Sequence, residues 1–110
     1  MAKTDKDLDR IRRELSELVT RESLPGSLVV RSLRCGRRTC ACHEDPARRH
    51  GPYVQWSYSY RGKRVNRWLS AQQAERLRDQ VNRGRRIKEL TADLDAAEIR
   101  RVEQAEGWGT

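Results

Sequence analysis

The chain has 110 residues, with 24 Lys and Arg against 16 Asp and Glu, and so carries a formal +8. One domain fits in this length. No apolar run approaches the roughly 20 residues that cross a bilayer. The first residues lack the apolar stretch of a secretory signal, so the expected setting is the cytoplasm, at the nucleoid. Residues 1–30 and 68–110 each balance to zero charge, while residues 31–67 hold ten basic side chains against Glu44 and Asp45. A charge gathered in one central third argues for one cationic site rather than a uniformly basic surface. Only 20 residues are Leu, Ile or Val, and none is Phe. So thin an apolar content cannot build a large core, and the fold calls for another staple.

The pattern reads as helix, compact centre, helix. Leu8, Ile11, Leu15 and Leu18 form one stripe of a helix over about 4 to 22, with Thr4 as its cap and Pro25-Gly26 as its stop. Residues 28–33 read as a short strand. Residues 34–52 lack periodicity and read as an irregular loop, a length that something must organise. Residues 53–60 and 63–69 read as a hairpin around Arg61-Gly62. A two-residue turn sets Tyr60 opposite Lys63, Tyr58 opposite Val65, Trp56 opposite Arg67 and Val54 opposite Leu69. Val54, Trp56, Tyr58, Val65 and Leu69 then share a core-like face; Gln55, Ser57, Ser59, Arg64, Asn66 and Trp68 share a polar one. Ser70 with Gln73 matches a capping box. The helix it opens has a stripe through Ala74, Leu77, Val81, Gly84, Ile87, Leu90, Leu94 and Ala97. Gly84 costs about 1 kcal/mol against Ala there and predicts a kink or break within 83–86. Residues 107–110 read as a frayed tail. The expected organisation is an N-terminal helix (1–25), a loop and hairpin core (26–70), a C-terminal helix (71–106) and that tail, one α+β domain overall.

All three cysteines fall within eight residues: Cys35, Cys40 and Cys42, followed by His43 and His50. In a cytosolic chain such a cluster favours metal over disulfides. Three thiolates and an imidazole complete the tetrahedron of a structural Zn²⁺ and leave no open position for catalysis. Arg34, Arg37 and Arg38 help keep the thiols ionised. His43 and His50 both reach as fourth ligand; His50 suits better, because Gly51-Pro52 then leads the chain into the next strand. A structural zinc supplies on the order of 10 kcal/mol, enough to offset a thin core.

Gly26-Ser27-Leu28, Arg34-Cys35-Gly36, Cys40-Ala41-Cys42, His50-Gly51-Pro52-Tyr53 and Gly62-Lys63-Arg64 together resemble a family of small, largely uncharacterised bacterial and phage proteins. Its members share an Arg-Cys-Gly, Cys-x-Cys, His-Gly-Pro-Tyr core followed by an aromatic hairpin and a long helix. The resemblance covers about residues 26–90. It implies zinc ligands at Cys35, Cys40, Cys42 and His50, and a companion role beside transposases or site-specific recombinases on mobile elements. The acidic Glu44-Asp45 departs from the basic loop such a role suggests. Strand, Gly-Lys-Arg hairpin and helix also look like the three-stranded DNA-binding domains attached to recombinases, with a cysteine loop inserted between the first two strands.

Four of six aromatics (Tyr53, Trp56, Tyr58 and Tyr60) lie in the basic third, and Trp68 directly follows it. Cations interleaved with planar groups suit phosphates and bases. The expected nucleic-acid contacts are Arg37, Arg38, Gln55, Arg61, Lys63, Arg64, Asn66, Arg67 and Trp68, with Arg64 and Asn66 able to read base edges. Arg83, Arg85 and Arg86 read instead as a solvated helix end. No catalytic triad, carboxylate pair, Walker loop or dinucleotide fingerprint is evident. The sequence therefore points to a non-enzymatic, zinc-stabilised DNA-binding accessory protein of a mobile element, acting as a homodimer through its helices. The alternatives are a helical adaptor whose basic centre meets an acidic partner, and an RNA or single-strand binder.

Overall fold

The computed structural model describes residues 3–33, 36–37, 39–48 and 50–108. In chain order these form α1 (Lys3–Leu18), β1 (Ser27–Leu33), two 3-10 turns (Ala41–His43 and Pro46–Arg48), β2 (His50–Tyr60), β3 (Lys63–Leu69) and α2 (Ala71–Glu106). The strands make an antiparallel sheet in the order β1-β2-β3. This is the expected α+β arrangement of helix, three-stranded sheet and long helix. Among the described residues no helix is long and apolar enough to cross a membrane.

The two helices pack on each other, and α2 also meets the sheet. Leu8 and Ile11 of α1 are buried, as are Ala74, Val81, Leu90 and Ala97 of α2, with Leu90 only 1% exposed. Ion pairs fix the antiparallel arrangement: Arg12 meets Glu98, and the Arg86 fork grips Glu14 at 2.9 and 3.1 Å. Bidentate geometry makes such a pair worth more than a single exposed contact. Hydrogen bonding from Arg101, with charge from Arg101 and Arg12, holds the Glu98 carboxyl below the usual carboxylate range. Its contribution is therefore present at neutral pH and fades as pH falls through that lowered value.

α1 ends at Leu18 rather than near residue 22. The β-branched Val19 and Thr20 follow, and the Thr20 hydroxyl donates to the Glu17 carbonyl at 2.7 Å, drawing the backbone out of helical register. Thr4 lies inside the first turn rather than capping it, because the helix already begins at Lys3. Residues 19–26 then run back along α2. Leu24 N–H donates to the Gln80 carbonyl at 3.0 Å, and Arg83 donates to the Glu22 carbonyl. The Trp56 indole reaches back to the Pro25 carbonyl at 2.8 Å.

α2 runs without interruption through Gly84, so the expected break is absent. The glycine serves a tertiary purpose instead. A Cβ placed there would collide with the Leu24 carbonyl oxygen and stand 2.8 Å from its carbon. The bare backbone lets the connector cross the helix, and the crossing supports the helix that the glycine weakens. The start of α2 is as expected: Ser70 Oγ accepts from Gln73 N–H at 3.1 Å, and Gln73 Oε1 accepts from Ser70 N–H at 2.9 Å. Its end is more ordered than a frayed tail. Gly107 adopts φ 71° and caps the helix, while Trp108 N–H donates to the Glu103 carbonyl at 3.0 Å, a Schellman closure.

The hairpin has the expected register at every described pair, from Tyr60 opposite Lys63 to Val54 opposite Leu69. Arg61 and Gly62 have φ of 49° and 79°, the two left-handed residues of a type I′ turn. β2 begins at His50, earlier than expected, because His50 already pairs with Leu33 across a register shift in β1.

The Gly84 crossing gives a test. In an isolated helix, Gly to Ala stabilises by about 1 kcal/mol. Here Gly84→Ala is expected to destabilise by about 1–3 kcal/mol through overpacking against backbone, read as a lower urea midpoint. A raised midpoint would place the connector elsewhere.

Candidate functional site

Of the four expected metal ligands, Cys35 lies outside the described residues, as does Arg38; the side chain of Cys42 is likewise outside them. The other two come together. Cys40 Sγ stands 3.4 Å from His50 Nε2. Cys40 precedes the first 3-10 turn; its N–H donates to the Arg37 carbonyl, and its carbonyl accepts from His43 N–H, both at 3.1 Å. His50 opens β2. Gly51, with φ 126°, sits so close to β1 that a Cβ would lie 2.9 Å from the Arg31 carbonyl oxygen. Gly51 thus lets the His50 end of β2 lie tight against β1. The acidic pair in this loop has a local task at Asp45, whose carboxylate accepts from Ala47 N–H at 3.0 Å and whose carbonyl accepts from Arg48 N–H at 2.9 Å. Among the described residues no group of three or more His, Cys, Asp or Glu side chains is placed to hold a metal.

The hairpin carries its polar residues on one face, with β1 extending it. Arg31 Nε donates to Gln55 Oε1 at 3.1 Å, and Gln55 stands opposite Trp68. Tyr53 and Trp68 meet edge to face, centroids 6.1 Å apart, yet remain 45% and 52% exposed. Ser57 Oγ donates to Asn66 Oδ1 at 2.6 Å, which leaves the amide nitrogen of the exposed Asn66 without a hydrogen bond among the described residues. Ser59 pairs with Arg64 further toward the turn. At the tip, the Arg61 guanidinium lies 5.3 Å over the Tyr60 ring, and Arg61 and Lys63 are both exposed. Arg37 is exposed in the Cys loop.

Arg67 belongs with the other face. It stands opposite Trp56 and donates from Nε to the Tyr58 hydroxyl at 2.9 Å. That bond raises its pKa further. Trp56 and Tyr58 pack ring on ring, centroids 4.1 Å apart. Strand alternation therefore separates Arg67 from Arg64, Asn66 and Trp68.

A cleft of about 550 Å³ lies between the sheet and α2, lined among others by Ser27, Ser59 and Arg64 on one side and Gly84, Arg85 and Lys88 on the other. The run Arg83–Arg86 thus divides by role. Arg83 and Arg86 tie α2 to the connector and to α1, whereas Arg85 faces the cleft. The one sequence signal for this was Gly84 within an apolar stripe, a mark of close backbone approach.

A family model described as Domain of unknown function (DUF6788) matches residues 5–79. No curated protein and no solved structure matches the chain. The matched segment takes in most of α1, the Cys/His loop, all three strands and the first turns of α2, and stops short of Gly84. With more than half of its length matched, the chain belongs to the DUF6788 family.

Proposed function

We propose that the chain is a non-enzymatic, zinc-stabilised nucleic-acid-binding protein that takes duplex DNA on the polar face of its sheet. The observation that carries the reading is the make-up of that face. Arg31, Gln55, Arg64 and Asn66 share it with a half-exposed Tyr53–Trp68 pair. Arg64 enters no ion pair among the described residues, while the arginines of the helix interface are taken up by glutamates. A cation without a carboxylate partner keeps its full attraction for phosphate. An exposed amide and guanidinium on a ribbon have the chemistry to read base edges in a major groove. Arg61 and Lys63 at the tip suit the flanking phosphates, and the two-residue turn holds them at a fixed distance from the face.

Zinc enters through the Cys40–His50 spacing. A tetrahedral ion with Zn–S near 2.3 Å and Zn–N near 2.05 Å holds sulfur and nitrogen about 3.5 Å apart; the two atoms stand 3.4 Å apart. In this reading Cys35 and Cys42 complete the set, the ion is structural, and it ties the loop to the first residue of β2. The role beside a transposase or recombinase rests on the family resemblance, and a homodimer would offer two such faces to two half-sites.

Two outcomes are expected. Chelation of purified, zinc-loaded protein removes one zinc per chain and abolishes the cooperative melting of the sheet; circular dichroism and stability unchanged after complete metal removal would contradict the zinc site. The double variant Arg64→Ala, Asn66→Ala keeps zinc content and melting temperature but weakens duplex binding at least tenfold. Wild-type affinity is expected to fall with salt at a log–log slope near −5 for about six phosphate contacts. Full affinity in the double variant would remove the sheet face from the interface.

A further inference from the structure

We propose that the cleft between the hairpin and α2 is a seat for the phosphodiester backbone of the bound nucleic acid, held by Arg85 and Lys88 from α2, with Arg64 at its sheet-side edge beside the bases. The proposal rests on the nucleic-acid reading above and adds to it a second wall contributed by the long helix.

Three observations converge. The first is charge. The cleft has three cationic side chains and no carboxylate in its described lining. None of the three forms an ion pair among the described residues, while Arg12, Arg78, Arg86 and Arg101 elsewhere on the helices all do. Arg85 donates only to the neutral Asn82 side chain, at 3.0 Å. The arginines that join α1 to α2 are neutralised by glutamates, whereas no carboxylate stands in the described lining beside Arg64, Arg85 and Lys88.

The second is orientation. Ser57 and Ser59 alternate along β2, and their partners Ser27 and Arg64 point the same way. The cleft therefore opens on the same face as Asn66, Gln55 and Trp68. A duplex lying on that face would bring its flanking backbone to Arg85 and Lys88. The Ser27 and Ser59 hydroxyls supply neutral donors beside the cations, the mixture that fixes a phosphate by hydrogen bonds as well as charge.

The third is preorganisation. Both walls are fixed before any ligand arrives. The Gly84–Leu24 crossing and the Leu24–Gln80 hydrogen bond set the start of β1 against α2, and β1 carries the sheet with it. A site whose donors are already placed loses less freedom on binding.

The test uses full-length, zinc-loaded protein and a random duplex over a range of salt. Arg85 and Lys88 are exposed on a helix, so Arg85→Gln with Lys88→Gln keeps the fold, checked by thermal melting. This variant is expected to lose at least tenfold in affinity at low salt and to shallow the log–log slope by about 2. The control Arg10→Gln with Arg13→Gln removes the same charge from exposed positions on α1 and is expected to leave the slope as in wild type. If the cleft variant keeps wild-type slope and affinity, or if the control loses as much, the cleft proposal falls while the nucleic-acid reading stands. If wild-type protein binds no duplex, both fall.

Discussion

The carbonyl of Leu24 lies against α2 where Gly84 has no side chain, and the placement of the sheet follows from that contact. Eight residues separate the end of α1 from the start of β1. They could trail in solvent, but Leu24 bonds to the Gln80 carbonyl and Arg83 bonds to the Glu22 carbonyl, so the connector is pinned across the helix. Pro25-Gly26 then turns under Trp56, and Gly26, at φ 84°, approaches the Ser57 carbonyl too closely for any Cβ. Two glycines thus allow two backbone crossings, and these orient a small sheet on a 36-residue helix with few buried apolar side chains. Here backbone contacts, rather than apolar side chains, make the joints between connector, sheet and helix.

Charge is divided along the same line. On the helix side, Arg12, Arg86 and Arg101 are matched by Glu98 and Glu14 and serve packing. On the sheet side, Arg64 and the neighbouring Arg85 and Lys88 face one another across a cleft that has no carboxylate in its described lining. The neutral–positive–neutral pattern of the sequence therefore has a counterpart in space, although its boundary is not where the linear count put it. Two cations of the charge-balanced C-terminal third join the positive centre in space.

Much of the fold was legible because the relevant physics was local. The type I′ turn at Arg61-Gly62 fixes the hairpin register within two residues, and the Ser70–Gln73 box fixes the start of α2 within four. Part of the rest depended on contacts between distant segments. Gly84 weakens a helix by its local propensity but admits Leu24 through its tertiary setting. Gly107 looked like the start of a loose tail but closes the helix with Trp108. Arg67 was grouped with Arg64 by composition, although the hairpin register itself places it opposite Trp56 on the other face. Arg85 and Lys88 carried no signal beyond their proximity to Gly84. At the Cys/His loop, Gly51-Pro52 leading into β2 favoured His50 over His43 as a ligand, and His50 Nε2 stands 3.4 Å from Cys40 Sγ.

In the proposed complex one face, formed by the sheet and flanked by α2, meets the nucleic acid. Amide and side-chain chemical-shift mapping of zinc-loaded protein titrated with a short duplex reads that face residue by residue. Shifts are expected at Arg31, Gln55, Ser59, Arg64, Asn66 and the Trp68 indole, continuing onto Arg85 and Lys88, with α1 and residues 98–108 unmoved. Shifts confined to α1 or to the C-terminal end of α2, with the sheet face silent, would contradict it.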